Sequence, residues 1–201
     1  VPTSRIEAFS DGVFAIAITL LILEIQVPQG AGNDLWHALW QLWPNYAAYL
    51  VSFMTIGIIW VNHHAQFVRI VRSDRALLFW NLNLLLWVSF LPFPTAVLAR
   101  YLDSGSGETA ASAFYAGVLL VMSLSFYGVW RHAERAGLLT EELSPGQRRV
   151  LRRRNVFGHL AYALAVVLAF VSPAATLVLC AGVALFYVHP GRSSAALAEG
   201  S

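Results

Sequence analysis

The chain has no lysine, one cysteine, two methionines and charged residues at only 12% of its 201 positions. Soluble globular domains carry about 25% charged residues, so a sequence this poor in charge and 58% hydrophobic belongs to an integral membrane protein. The single Cys180 excludes an intrachain disulfide, and within an apolar run it serves as a small core side chain. Without a second cysteine or a His-Glu-x-x-His string, the usual metalloenzyme patterns are missing. A formal charge of +2 does not point to nucleic acid, because the basic residues flank apolar runs and face anionic lipid headgroups instead.

All thirteen basic residues are arginine, and their placement orients the chain. Apolar runs over roughly residues 6–25, 44–66, 76–98, 109–130, 155–171 and 174–189 mark six spans, each near the ~20 residues a bilayer requires, with the last two short. Arg5, Arg69, Arg72, Arg75, Arg131, Arg135, Arg148, Arg149, Arg152, Arg153, Arg154 and Arg192 then fall on one side and Arg100 alone on the other. The positive-inside rule makes the arginine-rich side cytoplasmic, together with both termini. The 26–43 connection has no basic residue and carries Trp36, Trp40 and Trp43, the chemistry of the opposite interface. The first apolar run holds Asp11 and Glu24 and lacks a convincing cleavage site, so it is retained as a helix rather than removed as a signal. The chain opens on Val1 with no initiator methionine, as a trimmed chain would. With no internal repeat, residues 1–201 form one six-helix domain.

Counting inward from the arginines converts sequence distance into depth. Asp11 lies six residues from Arg5, His63 and His64 six and five from Arg69, Asn81 six from Arg75, and His159 five from Arg154. At 1.5 Å per residue all of them lie about 8–9 Å inside the basic boundary. Polar groups at that depth require partners: Asp11 can accept from an imidazole, from Asn81 or Asn83, or from the Trp60 indole, and Ser10 can donate or accept. A packing clamp among the first three spans is preferred, with a proton relay or ligand site as the competing assignment. His63 and His64 are adjacent, so they point about 100° apart on a helix and do not readily share a metal.

Beyond Gly12 the first span places Ile16, Thr19, Leu20 and Leu23 on one face at helical spacing. A lipid-facing helix shows the same stripe without further meaning. A symmetric cluster of such helices would instead bring Ile16, Leu20 and Leu23 into rings, and apolar rings gate pores by dewetting. Thr19 is the polar group in the middle of that face.

The segments RIEAFSDGVFAIAITLLILEI (5–25), SFMTIGIIWVNHH (52–64) and NLNLLLWVSFLPFPT (81–95) resemble the transmembrane protein 175 family of potassium channels in its bacterial, single-repeat form. The resemblance covers about the first hundred residues and extends to the last three spans only in number and hydropathy. It implies an all-α homotetramer of six-helix subunits in the plasma membrane, the first helix of each lining a central potassium pathway. The carbonyl filter Thr-Val-Gly-Tyr-Gly of ordinary potassium channels is absent from the family and from this chain. Ile16, Leu20 and Leu23 match the family's apolar constriction and Thr19 its hydroxyl selectivity layer. Arg5, Phe9, Ser10 and Asp11 match a string that packs away from the pore against Trp60, His63, His64 and Asn81. Extending the stripe backward through Gly12 and Phe9 leaves Asp11 about 100° off it, which agrees with a structural role.

The expected function is passive potassium conduction, with no enzymatic chemistry, no cofactor beyond the permeating ion, no resident metal, and lipids and copies of itself as partners. Glu24 stands near the outer mouth, either concentrating cations or anchoring the interface. A proton-conducting channel or proton-coupled carrier built on Asp11, His63 and His64 is the rival assignment, and a membrane-embedded enzyme a more distant one.

Overall fold

The computed structural model describes residues 3–29, 32–102, 104–140 and 145–188; Arg192, placed above on the cytoplasmic side, lies outside the described residues. The described chain is helical: α1 Thr3–Leu20, α2 Leu35–Gln41, α3 Trp43–Phe67, α4 Arg75–Phe90, α5 Pro92–Tyr101, α6 Glu108–Arg135, α7 Pro145–Ala169 and α8 Pro173–Val188. Four stretches are long and apolar enough to cross a membrane, namely Thr3–Glu24, Trp43–Phe67, Arg75–Tyr101 and Glu108–Arg135. Val156–Ala169 and Pro173–Val188 are shorter apolar helices.

Two interruptions depart from continuous spans. The third expected span breaks at Leu91 into α4 and α5, because Pro92 and Pro94 supply no backbone N–H and their rings clash with the carbonyls of the preceding turn. The first span tightens at its end, where Leu21–Glu24 form a 3₁₀ turn. The connection at 131–154 is much shorter than the sequence spacing implies, since α6 runs on to Arg135 and α7 begins at Pro145. Trp36 and Trp40 stand 87% and 79% exposed on the short α2, as interfacial anchors do.

α6 is the central element. Tyr115, Leu119, Met122 and Val129 along it are fully buried, and it packs against α4, α5, α7 and α8. At Gly128 a Cβ would stand 2.5 Å from the Trp80 ring, so the missing side chain is what lets α4 lie close against α6. α6 stops at Gly137, whose φ of +64° is left-handed and open to glycine without strain. The N–H of Leu138 then returns to Ala133 O at 2.9 Å, the six-to-one bond that closes a Schellman end. Beyond it the chain joins the α3–α4 loop through an antiparallel bridge between Ile70 and Leu139, with Val71 N–H donating to Leu138 O and Thr140 N–H to Arg69 O.

α1 lies at the edge of this assembly, chiefly against α3 and α4. Ile6, Ser10, Phe14 and Ala17 are its buried residues and Leu21 continues them. Their spacing of three and four places them on one helical face.

Candidate functional site

Everything opposite that buried face of α1 is uncovered. Phe9, Ile16, Leu20 and Leu23 are 57%, 61%, 41% and 69% exposed, and Gly12 and Thr19 are exposed among them. On an ideal helix Leu23 would drift about 60° around the axis from Leu20, whereas in a 3₁₀ turn residues three apart eclipse one another. The tightened turn therefore stacks Leu23 above Leu20. It also puts Glu24 in register with the buried Leu21, and Glu24 is half-buried.

Thr19 is arranged as an oxygen donor to whatever faces it. Its hydroxyl lies 2.9 Å from both Ala15 O and Ile16 O, so its hydrogen is held by the backbone and its lone pairs remain for the open side.

One turn and more toward the arginine end, the polar groups sort into two sets. Trp60 Nε1 donates to Asp11 Oδ1 at 2.8 Å. Beside it Asn81 bridges three helices: its Nδ2 donates to Ser10 Oγ at 2.9 Å, its Oδ1 lies 2.8 Å from His63 Nε2, and Ser10 passes its own hydrogen to Ile6 O at 2.8 Å. An Asn Oδ1 only accepts, so His63 carries its proton on Nε2. Phe67 stacks on the His63 ring at 4.4 Å and Phe14 tilts against it at 5.3 Å, closing the ring off so that His63 is 1% exposed.

Three residues expected in this network, Arg5, Phe9 and His64, stand outside it, and two further polar residues at the same depth pair elsewhere. His64 is exposed and stands outside the network, because the residue after a buried one points about 100° away. Asn83 donates to Ser125 Oγ at 2.8 Å, not to Asp11. His159 pairs through Nδ1 with Ser123 at 2.8 Å and belongs to the α6–α7 contact. Arg5 is exposed on α1 and Phe9 lies on its open face rather than in the packed string, because the buried face runs through Ile6 and Ser10 instead.

A second buried polar set did not emerge from the sequence. Ser52 Oγ lies 2.7 Å from Thr95 Oγ1 and 2.9 Å from the Tyr115 hydroxyl, linking α3, α5 and α6 toward the opposite side. Thr95 also donates to Leu91 O at 2.8 Å, a carbonyl that its own backbone N–H already bonds at 3.1 Å. Among the described residues, no three His, Cys, Asp or Glu side chains gather as metal ligands.

The comparisons with known proteins agree on one group. Residues 5–92 match the family model described as endosomal/lysosomal potassium channel TMEM175. The chain is 50% identical over 187 residues to a potassium channel of Streptomyces collinus, covering 92% of this chain and 91% of that one. It is 32% identical over 138 residues to the endosomal/lysosomal proton channel TMEM175 of Gallus gallus, covering 64% of this chain and 28% of that much longer protein. Among solved structures it is similar to a lysosomal potassium-selective channel TMEM175 homolog from Chamaesiphon minutus, with a TM-score of 0.82 and 41% identity over 92% of this chain and 96% of that one.

Proposed function

The chain belongs to the TMEM175 family, and from that membership we propose that it is a potassium-selective channel of the plasma membrane that conducts passively. Its subunits assemble as homotetramers, each one six-span domain with both termini cytoplasmic. The observation that carries this reading is the uncovered face of α1. Phe9, Gly12, Ile16, Thr19, Leu20 and Leu23 are exposed while the opposite face is packed, and one chain cannot enclose a pathway with one helix. Four copies around an axis close the gap.

In that assembly Ile16, Leu20 and Leu23 form stacked apolar rings. A ring of Leu side chains narrows the pathway and disfavours water, so conduction requires the rings to widen enough to wet. Four Thr19 oxygens form one layer between them. A single hydroxyl layer replaces far less of an ion's hydration than a stack of carbonyls, so selectivity is modest. The 3₁₀ turn directs Glu24 toward the packed side, and its carboxylate acts at the outer mouth through its field rather than by touching the ion. Ser10, Asp11, Trp60, His63 and Asn81 hold α1 against α3 and α4 and set the angle at which the rings meet the axis.

Purified protein in liposomes, with reversal potentials in potassium against sodium and a pH-sensitive dye inside, tests this proposal. A reversal potential that follows the potassium gradient is expected. A reversal potential that ignores the potassium gradient and follows the pH gradient instead would overturn it and favour the proton pathway through Asp11.

A further inference from the structure

A partly open cleft of about 140 Å³ runs between α3, α6, α7 and α8, away from the open face of α1. Along α3 its lining extends from Thr55 to Arg69, a length of about 20 Å at helical rise. That volume encloses only a narrow segment of a single chain and leaves the rest of a longer ligand on the open side of the cleft. Ile58, Ile59, Phe126 and Ala184 make much of the wall apolar, and Arg69 sits at one end.

Two buried polar atoms in this lining have no partner among the described residues, Gln66 Oε1 and His159 Nε2. Gln66 is 4% exposed. Its Nε2 donates to Phe126 O at 3.5 Å, and turning the amide over would set oxygen against oxygen, so Oε1 is committed as an unmet acceptor. His159 holds Ser123 through Nδ1, which leaves Nε2 a donor or an acceptor according to the tautomer. Leaving such atoms unmatched in a buried site is costly. A ligand hydroxyl matches both when His159 carries its proton on Nε2, since it then donates to Gln66 Oε1 and accepts from His159 while Ser123 donates to Nδ1. Arg69, about one turn beyond Gln66, has one guanidinium nitrogen on Ala65 O and donors to spare.

We propose that this cleft binds a single-chain anionic lipid whose phosphate meets Arg69, whose neighbouring free hydroxyl meets Gln66 and His159, and whose acyl chain lies along α3 toward Thr55. The order of groups along the cleft, cation then acceptor then apolar wall, is the order of groups along a lysophospholipid. The site is independent of the central pathway, and its occupancy is read without measuring conduction.

Native mass spectrometry and thermal shift of the purified full-length assembly, titrated with lysophosphatidic acid, test it. Up to one lipid per subunit should bind. The analogue lacking the glycerol hydroxyl should bind roughly fivefold more weakly, and lysophosphatidylcholine, with no net charge, about tenfold more weakly, as expected for one neutral and one charged hydrogen-bonding partner. Glycerol 3-phosphate, the head without its chain, should show no binding at the same concentrations. Gln66→Leu should erase the preference for the hydroxyl, Arg69→Gln the preference for the anion, and Ala184→Leu, which fills the cleft from another helix, should weaken all three lipids and decides the matter if Gln66→Leu assembles poorly. Equal binding of the three lipids, binding of the head alone, or binding indifferent to Ala184→Leu would overturn the proposal and leave the cleft to water.

Discussion

The indole N–H of Trp60 meets Asp11 Oδ1 at 2.8 Å, tying α3 to the residue that borders the open face of α1. The carboxylate is an acceptor there. Replacing it by an amide preserves that capacity, while truncating it removes a bond between two exposed side chains, worth about 0.5–1.5 kcal/mol. Asp11→Asn should therefore lower tetramer yield and melting temperature mildly and Asp11→Ala more strongly, with potassium selectivity retained in the channels that form. A fully stable Asp11→Asn assembly that no longer conducts would show that titration of the carboxylate, rather than packing, is what matters.

Asn81 joins Ser10 and His63 in one buried position. Asn81→Leu keeps the shape roughly and removes both bonds, which should cost about 1–3 kcal/mol, chiefly by leaving the His63 N–H unmatched, since Ser10 keeps its bond to Ile6 O. Asn81→Asp should be intermediate, since it still accepts from His63 and loses its donor to Ser10. Unfolding of the detergent-solubilised protein followed by Trp fluorescence reads the order.

Leu20 and Leu23 are eclipsed on the open face, so shortening either widens the same column. Leu20→Ala and Leu23→Ala should each raise single-channel conductance severalfold. A well-assembled triple alanine variant of Ile16, Leu20 and Leu23 with unchanged current would remove this face from the pathway.

Thr19→Val retains the shape of the side chain and deletes its oxygen. The substitution removes all four hydroxyls of the layer, and a potassium-over-sodium preference of about 1 kcal/mol from that layer corresponds to a roughly fivefold fall in the permeability ratio. Assembly should not change, because the hydroxyl bonds only its own helix. An unaltered ratio would show that selectivity is set elsewhere.

Asp74 caps α4 by accepting the Leu77 N–H at 2.7 Å, and that bond, helped by His132 at 2.9 Å, holds its carboxyl below the usual carboxylate value. A lowered folded value means that its stabilisation is complete above the ordinary carboxylate range and disappears as pH falls through the folded value, below about pH 4. Asp74→Ala should cost about 0.5–2 kcal/mol near neutrality, and the gap in melting temperature from the parent should close on acidification over that window. A gap independent of pH would place the effect in packing instead of charge.

Four of the six expected spans are legible in this sequence because long apolar runs and flanking arginines leave few alternatives, while Val156–Ala169 and Pro173–Val188 form shorter apolar helices. Depth was legible for the same reason: counting from Arg5, Arg69 and Arg75 found Ser10, His63 and Asn81, which the structure joins, and Asp11, which it pairs with Trp60 instead. What a depth count omits is azimuth. His64 shares the depth of His63 and points elsewhere, and His159 shares it from α7, which packs chiefly on α6 and α8 rather than on α1. The Ser52, Thr95 and Tyr115 set carried no comparable signal. Its members are 43 and 63 residues apart, lie far from the arginine boundary, and are residue types that spans use freely. The break at Leu91 was visible as Pro92 and Pro94 but is smoothed over by any average of hydropathy along the run.

The bridge between Ile70 and Leu139 bears on how the subunit deforms. Main-chain bonds across it couple the α3–α4 corner to the end of α6, and the Gly128 contact with Trp80 fastens α4 to α6 further along, so these helices form a braced frame. Among the described residues α1 makes no main-chain hydrogen bond to that frame and is held by side chains, Asp11 with Trp60 and Ser10 with Asn81 and the packed face of Ile6, Phe14, Ala17 and Leu21. A panel hung on a few side-chain fasteners can tilt by exchanging partners while the frame behind it keeps every main-chain bond, so displacement within a subunit concentrates at the α1 seam.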